Sequence, residues 1–431
     1  MIRPRKFYGW KMVGVLWCVY FLMQGLVLYG EPVVNSYMIV HMGFGRSVLG
    51  AGSAMFMLFQ GFSGPFVSKG IKAKGIRFTI IIGAIFVAVS SILMGTVVSK
   101  PWQYLVAFGA ISGVGIGLSG MFSVQSGITY WFRKKRGLAM SIALTGAGAG
   151  GFISGYVLNY IINTTGSWRN AWHFITVTCI LTIILVAVLV VNRPEAIGQV
   201  PDGEDISDEP QAKKLRDSKV YKTLTDVKVS DVMKDRRIWF ILIALLALRF
   251  TYSMCIAHSI LHLFDVGIPK AVAAMAVGTM TLFSVLGRLL PGTVIDKIEP
   301  RIVWFGGMVV FIIGFMNLML ATSSANAIVF SILVGMGFGS SYVCSATMVG
   351  NYYGVNTFPS IMGIIFPAQM IFGAFAPLLA GIIYDTTKSY VISFTFGLVI
   401  MIIGAIAVLL AVPPKVKEDQ NPVVKSGDLH A

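Results

Sequence analysis

Two arginines, Arg249 and Arg288, stand inside otherwise apolar runs of this chain. A charged side chain near the centre of a bilayer costs at least about 2.5 to 3.5 kcal/mol, so an arginine there needs a wet cavity, a partner or a ligand. A guanidinium stays charged and presents a fork of donors that matches a carboxylate at two points, which makes an organic anion a fitting ligand. Arg288 lies eight residues before Asp296. Helical rise then sets it roughly 12 Å into the membrane, too deep to snorkel out easily. The competing account is an ion pair inside the protein. Acids outside the central loop and the tail number five, Glu31, Asp265, Asp296, Glu299 and Asp385, and only Glu31 is placed to reach inward. Arg249 could neutralise Glu31 or bond to carbonyls exposed by neighbouring glycines. With both arginines facing one cavity a dicarboxylate is well served; with Arg249 paired internally, a monocarboxylate fits better.

Other polar residues expected at mid-depth are Gln125, Tyr252, His258, Tyr342 and Gln369. A tyrosine hydroxyl or an amide can orient a substrate's hydroxyl or keto oxygen while its apolar body shapes a pocket; the alternative for each alone is a satisfied packing residue. Glu31 and His258 are the candidates for carrying a proton, since a carboxylate or imidazole in a partly dry site can exchange one. Against this, Glu31 precedes Pro32 and could be an outer-mouth residue paired with a base. His258 and His262 share a helix face, but no carboxylate or cysteine stands at matching spacing, so neither a metal nor a cofactor is expected. The four cysteines all lie in apolar runs and offer neither a disulfide framework nor a CxxC site.

These residues need elements to hold them, and composition says which. Of 431 residues 56% are hydrophobic and 12% charged, about half the charged share of a soluble domain, which excludes a water-soluble enzyme. Twelve apolar stretches, near 10–30, 47–68, 78–98, 102–131, 137–162, 173–192, 238–262, 271–295, 302–320, 327–350, 360–384 and 390–412, are each long enough to cross a hydrocarbon core of roughly 30 Å, which takes about 20 helical residues. They do not alternate in polarity as barrel strands would, so helices are expected. The first is too long for a signal-peptide core and lacks a cleavage site.

The net charge of +16 is a topology signal rather than a nucleic-acid patch. With the N-terminus inside, the inner segments carry 27 lysines and arginines and the outer loops five, Arg46, Lys100, Arg169, Lys270 and Lys388. The positive-inside rule then predicts a multi-pass protein of the cell membrane with both termini cytoplasmic. Residues 193–237, with ten acids and ten bases, read as a solvated connector between an N-terminal six-helix half, 1–192, and a C-terminal half, 238–431. The halves resemble each other. Trp10 and Trp239 open their first helices, the Gly64 to Gly70 segment sits where Pro291 to Lys297 does, and Tyr130-Trp131-Phe132 corresponds to Tyr352-Tyr353. A duplicated six-helix unit points to a transporter with its site between the repeats near mid-depth. Gly115 to Gly120 satisfies GxGxxG, but inside an apolar helix it serves close packing, as do the clusters Gly146 to Gly151 and Gly335 to Gly339.

Phe7-Tyr8-Gly9-Trp10, the block Tyr130 to Ala139, and Gly287-Arg288 ahead of Asp296-Lys297 resemble the major facilitator superfamily, most nearly its branch of oxalate:formate antiporters and monocarboxylate carriers. The resemblance spans the chain. It implies an all-α integral membrane fold of twelve helices in two pseudo-symmetric halves, alternating access, organic anions as substrates, and Arg288 as the carboxylate-binding arginine of helix 8. It also implies departures. The second cation that oxalate carriers place on helix 11 falls here on Gln369. Where proton-linked carriers have an aspartate and a lysine, this chain reads Ser284 and Tyr29-Gly30-Glu31. The basic block with Arg133 and Arg136 is similar to the superfamily's loop motifs, which latch the halves; Asp296 is the acid for the latch of the second half, while the first half has Lys69, so unequal gates are expected. That block also reads as an anchor against anionic lipid.

The expected function is a secondary transporter of small organic anions, monocarboxylates such as lactate or pyruvate favoured, by proton-coupled symport and without nucleic acid as a partner. The alternatives are carboxylate antiport and a non-transporting anion sensor. A channel would need a continuous polar ring, and an enzyme a nucleophile, metal cluster or paired carboxylates. A monomer in the bilayer is expected.

Overall fold

The computed structural model describes residues 7–44, 46–203, 220–223 and 225–414; the tail bases and the middle of the central loop lie outside them. Each expected apolar run is helical. We number the membrane helices α1 to α12. α1 joins Gly9–Tyr20, the π-helical Phe21–Leu28 and Glu31–Met42; α2 joins Arg46–Phe62 to the first part of Gly64–Thr96, and α3 is the rest of that element. The break between α2 and α3 falls at Gly75, whose φ of 86° suits a residue without Cβ. α4 joins Pro101–Tyr104, the π-helical Leu105–Ser112, Gly113–Ser119 and Met121–Trp131. α5 is Arg136–Thr165, α6 Trp168–Leu189, α7 Arg236–Asp265, α8 Lys270–Val294, α9 Pro300–Met319, α10 Ser324–Tyr353, α11 Phe358–Thr387 and α12 Val391–Leu410. Ten described spans are long and apolar enough to cross a membrane, one of them, Ala51–Thr96, being double; α8 completes the twelve.

Burial sorts the helices. In α10 72% of the apolar window is buried and in α4 and α5 67%, against 33% in α6 and 39% in α9. The first group therefore forms the interior and the second the lipid-facing flank, where Val188 and Ile184 stay exposed. Local chemistry sets the ends. Ser167 and Asp235 accept from the backbone N–H two residues on, at the starts of α6 and α7, satisfying donors that a helix start leaves free.

Two expectations change. The first helix does not stop at Gly30, because Pro32 falls in the first turn of Glu31–Met42, where a missing N–H costs nothing. Glu31 is thus 1% exposed and no mouth residue. Nor is the described end of the connector solvated throughout. Thr223 N–H donates to the Asn351 carbonyl and Val227 N–H to that of Tyr353, Tyr221 N–H donates to Glu299, and Val220 is buried.

Candidate functional site

A cavity of about 460 Å³ opens between the halves. Its wall is drawn from α1, α2, α4 and α5 on one side and α7, α8, α10 and α11 on the other. Of the residues singled out above, Arg249, Arg288, Tyr252, Tyr342 and Glu31 line it. Arg288, 5% exposed, donates from Nη1 to the Leu144 carbonyl of α5 at 2.7 Å. Arg249 reaches the Met370 sulfur at 3.8 Å, a weak acceptor. The Nε of each arginine is buried without a hydrogen-bond partner among the described residues. Tyr252 and Tyr342 both have the two guanidinium groups as electrostatic neighbours.

The one acid in the wall does not neutralise them. Glu31 accepts from the Ser112 hydroxyl at 2.8 Å. The described ion pairs are Lys222 to Asp296 and Arg237 to Asp235, and neither Arg249 nor Arg288 takes part in one. The Glu31 to Ser112 bond joins two places where the helical ladder is widened, since Glu31 follows the π-helical Phe21–Leu28 and Ser112 ends the π-helical Leu105–Ser112. Such widened turns frequently mark functional sites.

Three sequence candidates lie outside the wall. Gln125 and Gln369 are 1% exposed, with no hydrogen-bond partner for Oε1 among the described residues, and neither belongs to the lining. His258 donates from Nε2 to the Pro377 carbonyl at 2.9 Å and holds the Tyr390 hydroxyl at Nδ1, 3.2 Å away. His262 instead turns Nε2 to the Leu318 carbonyl, so the two histidines do not converge, and no described cluster suits a metal ion. Sequence reasoning missed Tyr20, Gln24, Tyr29 and Gln60, which line the cavity. Gln24 and Gln60 carried the same signal as Gln125, an amide in an apolar run.

Below the cavity, at the end facing the connector, two seams close the gap between halves. α5 and α8 run antiparallel, with Gly137 against Ile295, Ser141 against Gly292, Leu144 bonded to Arg288 and Gly148 against Val285. A Cβ added to Gly292 would run into Ser141. α2 and α11 repeat the arrangement, with Gly61 against Met370, Gly64 against Pro367 and Ser68 against Gly363. Small residues permit this approach of backbones. Gly115, from the discounted GxGxxG pattern, likewise packs on Gly83.

Charged groups finish the closure. Asp296 accepts from Gly137 N–H and Leu138 N–H, both at 3.2 Å, placing a negative charge at the start of α5, where the helix dipole favours it. Lys222 of the connector lies 3.6 Å from Asp296 and donates to the Lys134 carbonyl at 2.7 Å. Burial pushes the Asp296 carboxyl above its ordinary pKa, with Lys222 and the two amides opposing. Arg133 engages Asp202 through its backbone N–H. Arg136, expected against lipid, is instead 3% exposed: it donates to the Phe132 carbonyl and to Asn351 of α10. The end of α2, ahead of the Gly75 break, offers Lys69 rather than an acid, and the turn before α11 is held by Asp226 of the connector, which accepts from Asn356 N–H at 2.8 Å.

Comparison with known proteins agrees with this architecture. The family model for the Major Facilitator Superfamily matches residues 16–276 and 259–428. An MFS-type transporter of Gibberella moniliformis is 31% identical over 98 residues, 23% of either chain. The MFS transporter asaE of Aspergillus flavus is 28% identical over 147 residues, 33% of this chain and 32% of its own. The matched stretches thus span a quarter to a third of these relatives. The E. coli fucose:proton symporter FucP superposes with a TM-score of 0.69 at 12% identity, covering 93% of this chain and 98% of its own. A double-tryptophan variant of XylE gives 0.72 at 14%, covering 95% and 97%. At such identities the likeness is one of fold. The relatives do not single out a carboxylate branch. With a family match over nearly its whole length, this chain belongs to the Major Facilitator Superfamily.

Proposed function

We propose that the protein carries small organic anions, monocarboxylates foremost, by alternating access, with Arg288 as the carboxylate clamp. One observation carries this reading. The Nε–H groups of two arginines have no hydrogen-bond partner among the described residues, and both arginines share a cavity whose single acid is bonded to a hydroxyl instead. A carboxylate meeting the Arg288 fork makes charge-assisted bonds in surroundings of low dielectric, where they are strongest. Arg249, with Tyr252 and Tyr342, completes the polar corner. Arg288 also ties α8 to the Leu144 carbonyl at the floor of the cavity, so an anion drawing the guanidinium toward itself loosens the bond holding the α5 and α8 seam. Asp296 and Arg136 form the gate below, with Arg133 tying the adjoining loop to the connector. The N-terminal half, through Glu31, supplies the group that takes up the coupled proton in symport, while His258, bonded at both nitrogens, serves structure.

Flux into proteoliposomes tests the clamp. Arg288→Ala should abolish carboxylate uptake while the protein stays folded in detergent, and Arg288→Lys should rescue little, because an ammonium lacks the planar fork. Normal uptake by Arg288→Ala would refute the reading. For coupling, an inward proton gradient should drive accumulation, and Glu31→Gln should remove that drive while leaving exchange against trans-loaded anion. If only trans-loaded anion drives uptake into the unmodified protein, the carrier is an antiporter; binding without flux makes it a sensor.

A further inference from the structure

The corner formed by Arg249 and Arg288 accounts for one end of a ligand, and the remaining wall for its body. On the C-terminal side Tyr252 stacks on Phe338 with centroids 3.4 Å apart and planes 9° off parallel, and Tyr342 meets Phe338 edge-on at 4.7 Å. All three rings line the cavity, and both tyrosines adjoin the guanidinium groups. On the N-terminal side Phe56 and Phe108, also in the wall, stack at 5.4 Å and 20°. Phe108 is backed by Tyr104 at 5.2 Å, which fixes its plane. Two braced aromatic plates, one per half, therefore face a space of about 460 Å³. Formate, lactate or oxalate would fill a minor part of it and leave the aromatic part of the wall without a ligand surface against it. Rings reward flat apolar surface, in stacked or edge-on contact, and ligand pockets bury most of their ligand. Charge points the same way. The two arginines of the wall stand in one corner beside Tyr252 and Tyr342, so a second carboxylate on a long ligand would have to lie against the rings.

We infer that the cargo is a monocarboxylate with an aryl body, of the arylacetate or arylpyruvate class, entering the Arg288 corner by its carboxylate and laying its ring against Phe56 and Phe108 on one side and Tyr252 and Phe338 on the other. This rests on the carboxylate reading above, and the test separates the two. Thermal stabilisation of the full chain in detergent and competition for uptake in proteoliposomes are measured with phenylacetate, phenylpyruvate, lactate, oxalate, succinate and the neutral phenylacetamide. Phenylacetate and phenylpyruvate should act at concentrations at least tenfold below lactate, oxalate and succinate, and phenylacetamide should not act. Phe108→Ala, or Phe56→Leu should that variant fail to fold, should shrink the preference for phenylacetate over lactate at least fivefold. Lactate, oxalate or succinate matching phenylacetate overturns the aryl inference and spares the carboxylate reading. Phenylacetamide matching phenylacetate overturns the carboxylate reading, and silence from every acid overturns both.

Discussion

The facing surfaces of α5 and α8 are closed along one stretch and open along the next. From Gly137 to Gly148 each turn of α5 meets α8, at Ile295, Gly292, Arg288 and Val285. Farther on, Phe152 of α5 is 55% exposed and Met275 of α8 68% exposed, and no described atom lies within 4 Å of a Cβ built on Gly155 or Gly278. Gly155 comes seven residues after Gly148 and Gly278 seven before Val285, so the closed register, continued, sets these two glycines face to face. Glycines of the closed stretch answer a packing demand already present. Those of the open stretch answer none now, and they fit the contact that would form if the halves rocked about Arg288 and closed the other end.

The largest expected effect comes from blocking the closed stretch. Gly292→Leu has no room against Ser141, and overpacking of this kind costs about 1–3 kcal/mol; spent against one state only, it should cut net uptake at least tenfold in proteoliposomes while leaving the protein monodisperse in detergent. Retained uptake would mean that the seam does not need to close. Next comes the exchange of partners. Gly148→Cys with Val285→Cys, whose Cβ atoms would lie 3.6 Å apart, should cross-link in the resting protein, whereas Gly155→Cys with Gly278→Cys should cross-link only during turnover, rising severalfold when a transported acid is added. Equal cross-linking of both pairs without substrate would erase the distinction between the stretches. The smallest effect belongs to the latch. Because burial of the Asp296 carboxylate outweighs the help of Lys222 and two amides, its pKa is raised in the closed state. The closed latch then binds its proton more tightly than a solvated carboxylate does, so closure gains as pH falls and loses as pH rises through the raised value. Asp296→Asn should flatten that acid dependence of Gly148→Cys with Val285→Cys cross-linking and change uptake only about two- to threefold.

Much of the site could be read from local chemistry, and the rest turns on helix rotation. Arg249 and Arg288 stand out because a charge in an apolar run is expensive wherever the helix points. Gln24, Gln60, Gln125 and Gln369 look alike in sequence, yet the first two line the cavity and the others are buried outside its lining. The π-helical turns in α1 and α4 explain part of this, since each shifts the residues beyond it off a 3.6-residue period. The connector hid its role for another reason. Lys222 and Asp226 look like any solvated charges until Asp296, Lys134 and Asn356 are brought beside them.

By itself the sequence determined the membrane-spanning helices and singled out the two arginines within them, because run length and the cost of charge in hydrocarbon act within a single helix. Tertiary structure decided which faces meet: that Arg288 bonds to Leu144 rather than to an acid, that Glu31 is buried against Ser112, and that one end of the α5 and α8 seam is shut while the other stands apart. Those outcomes depend on how each helix is rotated and how closely glycines let its neighbours approach, and both are properties of helix pairs rather than of any one segment.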